Sequence, residues 1–316
     1  VTYTDMPTVV ICDTWGAEPD PRLVKDNPLV EFVALDPHPP AHPHGHQCAE
    51  LVCLMARAAE KPFRIVFDPW LSRNNRDERQ WYTNLLRVRD RYPSSKIFQN
   101  NSWGAHHQKD RLLMDWQERQ WADGNRFREV TRVLEEVDAE LVFAAGNDDG
   151  KRPGHSDQIN DICQPQRALS ASQRVAVIGS NDPDGRPSFF SADGPEVLGM
   201  YPGERIRTLD PAGRGQISAF GTSFSAPLAT GDALYNWLTS EDARHDISVR
   251  GFQPWFKDWF LLNAATARGW PRGVHHPKGG HGSMNAVVRR RVRAPVLAGN
   301  RTKMQQVDYG QPTKIK

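Results

Sequence analysis

Short apolar runs alternate with helical patterns along this chain, and that alternation sets what it can fold into. Runs that read as buried strands lie near 7–12, 63–67, 95–101, 140–145 and 174–179. Patterns that read as helices lie near 44–59, 107–121, 125–137, 223–239 and 253–266. Strands taking turns with helices predict an α/β fold, a mostly parallel central sheet with helices on both faces. The 316 residues suffice for one large domain with its own core.

In open α/β sheets, ligands bind beyond the carboxyl ends of the strands. Asp13 ends the run Thr8-Val9-Val10-Ile11-Cys12, Ser102-Trp103-Gly104 follows the strand near 95–101, and Ala145-Gly146-Asn147 ends the run 141–147. His44-Gly45 opens a helical pattern carried by Cys48, Leu51, Val52, Met55 and Ala59. Ser223, in Gly221-Thr222-Ser223-Phe224-Ser225-Ala226-Pro227, opens another. A serine hydroxyl becomes a nucleophile when a base takes its proton and donors receive the oxyanion. A helix start offers unbonded N–H groups and the positive end of the dipole. Taken singly, each residue has a plainer explanation: Asp13 and Asn147 as turn residues, Gly-Thr-Ser as a helix cap.

The order Asp, His, Asn, Ser is that of the subtilisin-like serine proteases, and the chain resembles this family, the subtilases. The resemblance continues through Asn100-Asn101-Ser102-Trp103-Gly104, Arg174-Val175-Ala176-Val177-Ile178-Gly179-Ser180 and Ser188-Phe189-Phe190-Ser191. Gly194-Pro195-Glu196, Tyr201-Pro202-Gly203 and Gly280-His281-Gly282-Ser283-Met284-Asn285-Ala286 come next in family order, so the match runs from about Thr8 to Val288. It implies a subtilisin-like catalytic domain over 1–288, followed by a basic tail or strap over 289–316. The activity implied is that of a serine endopeptidase. Ser223 would attack, His44 would serve as base and Asp13 would orient it, with Asn147 and the Ser223 N–H holding the oxyanion. Ser102, Trp103 and Gly104, with Ala145 and Gly146, would bind the substrate.

The chain departs from the family after His44-Gly45, where it reads His46-Gln47-Cys48-Ala49-Glu50 in place of Thr, His and small residues ending in Gly. Glu50 is expected to be a surface carboxylate with a charge partner. Two other readings stand beside the protease. One is a catalytically silent subtilase scaffold that binds peptides or a partner protein. The other is an esterase-type serine hydrolase, disfavoured by the triad order and by the lack of a Gly-x-Ser-x-Gly elbow at Ser223.

A formal net charge of +2 gives no electrostatic case for nucleic acid or a membrane as partner. The expected partner is a protein or peptide substrate, with a propeptide, regulator or partner protein left open. The chain starts at Val1 without a signal-peptide pattern, which is compatible with a removed leader. The four cysteines, Cys12, Cys48, Cys53 and Cys163, form no disulfide framework and favour a reducing, cytoplasmic compartment over a secreted mature form. This favours a selective intracellular processing or regulatory protease. Cys12 and Cys48, close to Asp13 and His44, predict sensitivity to mercurials. His38, His42, His44, His46 and Cys48, with His275, His276 and His281, invite a metal reading, but paired zinc-ligand spacing is missing. No metal site and no required cofactor is expected. Calcium is common in the family, but no Asp-x-Asp loop assigns it.

Overall fold

The computed structural model describes residues 4–14, 19–36, 43–70, 79–103, 124–147, 166–192, 194–210, 212–213, 215–264 and 280–293. The elements, in order, are β1 (Thr8–Cys12), α1 (Pro21–Asp26), β2 (Val30–Ala34), α2 (His44–Ala56), β3 (Phe63–Asp68) and α3 (Gln80–Arg91). Next come β4 (Ile97–Asn101), α4 (Asn125–Glu136), β5 (Ala139–Ala144), α5 (Gln166–Leu169), β6 (Val175–Asn181) and β7 (Val197–Pro202). The hairpin β8 (Ile206–Leu209) and β9 (Gln216–Ala219) leads into α6 (Thr222–Thr239), α7 (Glu241–Arg250), α8 (Phe252–Asn263) and α9 (Asn285–Arg293). The expected strands appear as β1, β3, β4, β5 and β6. The helix expected near 107–121 lies outside the described residues.

Seven strands form one parallel sheet in the order β2-β3-β1-β4-β5-β6-β7. Successive side chains of a strand point to opposite faces. Along β1, Val9 and Ile11 join the core under α2, α6 and α8, whereas Val10 and Cys12 join the core under α3 and α4. The expected two-sided cover is what forms. Strand order reverses at the β1/β4 boundary, and a crevice opens at such a switch point.

The helices α2 and α6 pack tightly against each other. Gly231 makes this contact close: a Cβ there would stand 2.7 Å from both Met55 Cβ and the Val52 carbonyl oxygen. At the far end, α9 is pinned by Arg291, whose Nε lies 3.3 Å from Asp232 Oδ1 and whose guanidinium covers the Tyr235 ring at 3.3 Å. Asp232 is fully buried and also accepts from the Tyr201 hydroxyl at 2.7 Å and Trp259 Nε1 at 2.8 Å. Residues 289–293 of the basic segment are thus the last turns of α9. The rest of that segment lies outside the described residues.

Candidate active site

The residues just past β1, β4 and β5 and the first turns of α2 and α6 gather at the carboxyl ends of the central strands. Asp13 directly follows β1 and is 2% exposed. Its Oδ1 accepts from Thr14 N at 2.6 Å and Thr14 Oγ1 at 3.1 Å. His44 begins α2, and Gly45 N donates to the Thr14 carbonyl at 3.0 Å. A Cβ on Gly45 would collide with that carbonyl, so a glycine after His44 lets the helix abut the end of β1.

His44 Nδ1 lies 2.9 Å from each carboxylate oxygen of Asp13. A carboxylate only accepts, so the proton sits on Nδ1 and Nε2 keeps its lone pair. Burial works against a charged imidazole, but the charge and hydrogen bond of Asp13 together with those of Cys48 outweigh it and hold His44 well above the ordinary histidine range. The ring meets Phe224 edge-on, with centroids 5.5 Å apart.

Ser223 is the second residue of α6, behind the cap Gly221. Gly221 has φ of 138°, a conformation open to glycine, and its N–H donates to the Gly203 carbonyl at 2.9 Å. The Ser223 N–H is one of the first-turn donors that a helix leaves unbonded. Its carbonyl is released as well, because Pro227 stands four residues on and has no N–H to give. Two side chains from elsewhere take that carbonyl: Ser102 Oγ at 2.8 Å and Cys48 Sγ at 3.6 Å.

Asn147 comes shortly after β5. Its Oδ1 accepts from Thr222 N at 2.8 Å and Thr222 Oγ1 at 3.0 Å, which leaves the amide Nδ2 as the outward donor. Gly146 N donates to Thr222 Oγ1 at 3.2 Å, so Thr222 ties the end of β5 to the start of α6. Thr222 gave no signal of this role in the sequence, although it stands inside the Gly-Thr-Ser motif. Ala145 is fully buried, with its N–H bonded to the Ile178 carbonyl.

Ser102 is 3% exposed and also accepts from Asn100 Nδ2 at 2.9 Å. Trp103 turns the other way, with ring centroids 4.9 Å from Trp70, 5.6 Å from Trp81 and 5.5 Å from Phe143. Gly104 lies outside the described residues. Glu50 is half-buried rather than a surface charge. It accepts from Thr208 Oγ1 at 2.8 Å and Leu209 N at 2.7 Å, while Gln47 Nε2 donates to the Leu209 carbonyl at 2.9 Å. These two side chains of α2 thus hold the β8–β9 hairpin, and burial pushes the Glu50 carboxyl up.

The expected thiols separate. Cys12 lies on the opposite face of the sheet, where burial, reinforced by Asp68 and Asp13, pushes its thiol far up. Cys48, one helical turn after His44, lies 3.7 Å from Asp13 Oδ2 and 3.9 Å from His44 Nδ1. Burial raises this thiol too, against the pull of His44. Among the described residues, Asp13, His44 and Cys48 are a group whose donor atoms lie within 4.8 Å of one another. His46 stands apart, edge-on to Phe67 at 5.7 Å, and His38, His42, His275, His276 and Cys163 lie outside the described residues.

A sequence model of the Subtilase family matches residues 76–252. No curated protein sequence matches significantly. Among solved structures, the chain is similar to the prenylagaramide maturation protease PagA, at 16% identity and TM-score 0.57, over 89% of this chain and 92% of that one. It is similar to a lanthipeptide protease at 17% identity and TM-score 0.58, over 89% and 86% of the two chains. A cold-adapted subtilisin-like serine proteinase aligns at 15% identity and TM-score 0.55, over 88% of each. These likenesses are likenesses of fold.

Proposed function

The chain belongs to the subtilase family of serine endopeptidases, and on that premise we propose that it hydrolyses peptide bonds through Asp13, His44 and Ser223, with Asn147 at the oxyanion. The observation that carries this reading is the paired 2.9 Å contact from His44 Nδ1 to Asp13, which leaves Nε2 as a proton acceptor. Ser223 Oγ attacks the scissile carbonyl while His44 takes its proton and then passes it to the leaving amine. Asn147 Nδ2 and the Ser223 N–H receive the negative charge on the carbonyl oxygen. Residues 102–104 add a substrate strand through main-chain hydrogen bonds, with Ala145 and Gly146 beside it at the end of β5.

Two structural neighbours carry the names of a maturation protease and a lanthipeptide protease, which supports selective processing of a particular peptide or protein. Free, buried Cys12, Cys48 and Cys53 are compatible with that work in a reducing compartment.

The test is labelling with a fluorophosphonate probe, then mass mapping of the adduct. We expect the adduct on Ser223, lost in Ser223→Ala and strongly slowed in His44→Ala. A folded chain that stays unlabelled would instead be a silent scaffold. A second expectation concerns pH. Only neutral His44 can act as base, so kcat/KM rises with pH as the imidazole loses its proton. Because Asp13 holds the proton on, the midpoint of that acid limb lies above the ordinary histidine value of about 6.5. A pH–rate profile with its acid limb below that value contradicts the assignment.

A further inference from the structure

The β8–β9 hairpin stands apart from the seven-stranded sheet and forms a two-stranded sheet of its own. Such a ribbon is marginal in water unless something else holds it. Its chain runs straight into the candidate site: β9 ends at Ala219, Gly221 caps α6, and Ser223 follows in the first turn. Whatever fixes the hairpin therefore fixes where α6 begins. Apolar contact supplies part of the hold, since Ile206, Leu209 and Ala219 join the core shared with α2 and α6.

Polar side chains of α1 and α2 supply the rest. Leu209 turns both backbone groups to α2: its N–H donates to Glu50 Oε2 at 2.7 Å, and its carbonyl accepts from Gln47 Nε2 at 2.9 Å. The same Oε2 accepts from the hydroxyl of fully buried Thr208 at 2.8 Å. The Gln216 amide, opposite Leu209 on β9, and the Arg22 charge favour the ionised carboxyl. At the turn, Arg22 is paired with Asp20 and donates to the carbonyls of Asp210 at 3.0 Å and Gly215 at 3.2 Å. Gln47 and Glu50 stand on the very helix that His44 opens. One rigid element thus carries the candidate base at its start and grips the hairpin within its next two turns.

We propose that Glu50 is a positioning residue for the reaction: through the β8–β9 hairpin it sets where Ser223 and Asn147 stand relative to His44. The route is continuous. β9 leads to Gly221, whose N–H is held by the Gly203 carbonyl, then to Thr222, whose N–H and hydroxyl hold Asn147 Oδ1, and then to Ser223. Alanine at position 50 leaves the Thr208 hydroxyl and the Leu209 N–H unpaired in the interior and frees the hairpin to shift. The groups displaced are those that meet the transition state. The substrate-binding segment 102–104 follows β4 instead and stays in place, so kcat falls while KM holds. Both donors reach a single oxygen of Glu50, so the amide oxygen of a glutamine can serve them. The effect on turnover rests on the proposed triad; the hold of Glu50 on the start of α6 does not.

The experiment compares the full chain as wild type, Glu50→Ala, Glu50→Gln and Glu140→Ala, the last destabilised at the opposite end of the strands. Steady-state kinetics on a peptide substrate are measured beside amide hydrogen exchange over 206–223. An ångström of misplacement costs about 100-fold in rate, so we expect kcat of Glu50→Ala to fall about 100-fold with KM within about two-fold of wild type. Exchange over 216–223 should quicken in the same variant. Glu50→Gln should stay close to wild type in both readouts, and Glu140→Ala should keep its kcat and its exchange over 216–223 despite lower stability. Should Glu50→Ala not fold, Glu50→Asp, one methylene short of Leu209, is read in the same way. An active enzyme whose kcat survives Glu50→Ala, falls equally in Glu140→Ala, or is not rescued by Glu50→Gln overturns the proposal and leaves the protease reading intact. In a wild-type chain that cleaves no peptide, exchange decides: quickening over 216–223 in Glu50→Ala alone supports the hold on α6 and defeats only the protease reading, and unchanged exchange overturns the hold.

Discussion

Replacing Ser223 with alanine is expected to lower kcat for a peptide substrate about 10⁶-fold, because the acyl-enzyme route is lost entirely. Asp13→Asn is expected to cost about 10⁴-fold in kcat with little change in KM. The asparagine amide can turn its NH₂ toward His44 Nδ1, now 2.9 Å from both Asp13 oxygens. The imidazole then carries its proton on Nε2 and can no longer take one from Ser223. Steady-state kinetics on both variants, with circular dichroism to show that each still folds, check the pair. An Asp13→Asn enzyme within ten-fold of wild type would sink the role given to Asp13.

The largest effect on stability is expected at the opposite edge of the sheet. Lys96 and Glu140 are each 1% exposed, with Nζ 2.7 Å from Glu140 Oε1 and 3.0 Å from Asp138 Oδ1. Arg174 reaches the same two oxygens at 2.9 Å and 2.8 Å. Burial drives the Lys96 pKa down and the Glu140 pKa up, so each charge is held by its neighbours rather than by water. Glu140→Ala leaves Lys96 charged in the interior and is expected to cost about 3–5 kcal/mol. Lys96→Met with Glu140→Leu removes both charges and is expected to recover most of that loss. Urea unfolding of the single and double variants measures this. A single variant within about 1 kcal/mol of wild type by the same method would mean that water reaches the pair.

Much of the fold was legible because β1, β3, β5 and β6 are buried on both faces and read as largely apolar runs, whereas β4 carries only Ile97 and Phe98 of that signature before Gln99-Asn100-Asn101. The elements that escaped lack that signature. β2 is half-exposed and carries Glu31, and β7 contains Gly199 and Pro202. α7 shows no apolar stripe and is announced only by its cap, Ser240, which accepts from Ala243 N at 3.1 Å. In the candidate site, the residue types and their order pointed to Asp13, His44, Asn147 and Ser223. The supporting contacts were out of reach, since they join distant positions: Thr222 to Asn147 across 75 residues and Ser102 to Ser223 across 121. Cys12 and Cys48 show the same limit. Their sequence neighbours put both near the site, and the alternation of β1 then carried Cys12 to the other face.

The carbonyl that Pro227 leaves open gives the molecule a safeguard in time. Ser223 is steadied by Ser102 and Cys48, which lie 121 and 175 residues upstream, rather than by its own helix. An unfolded chain therefore has the serine but not its support. The groups proposed for catalysis therefore come together only once the ends of β1 and β4 and the first turns of α2 and α6 have met.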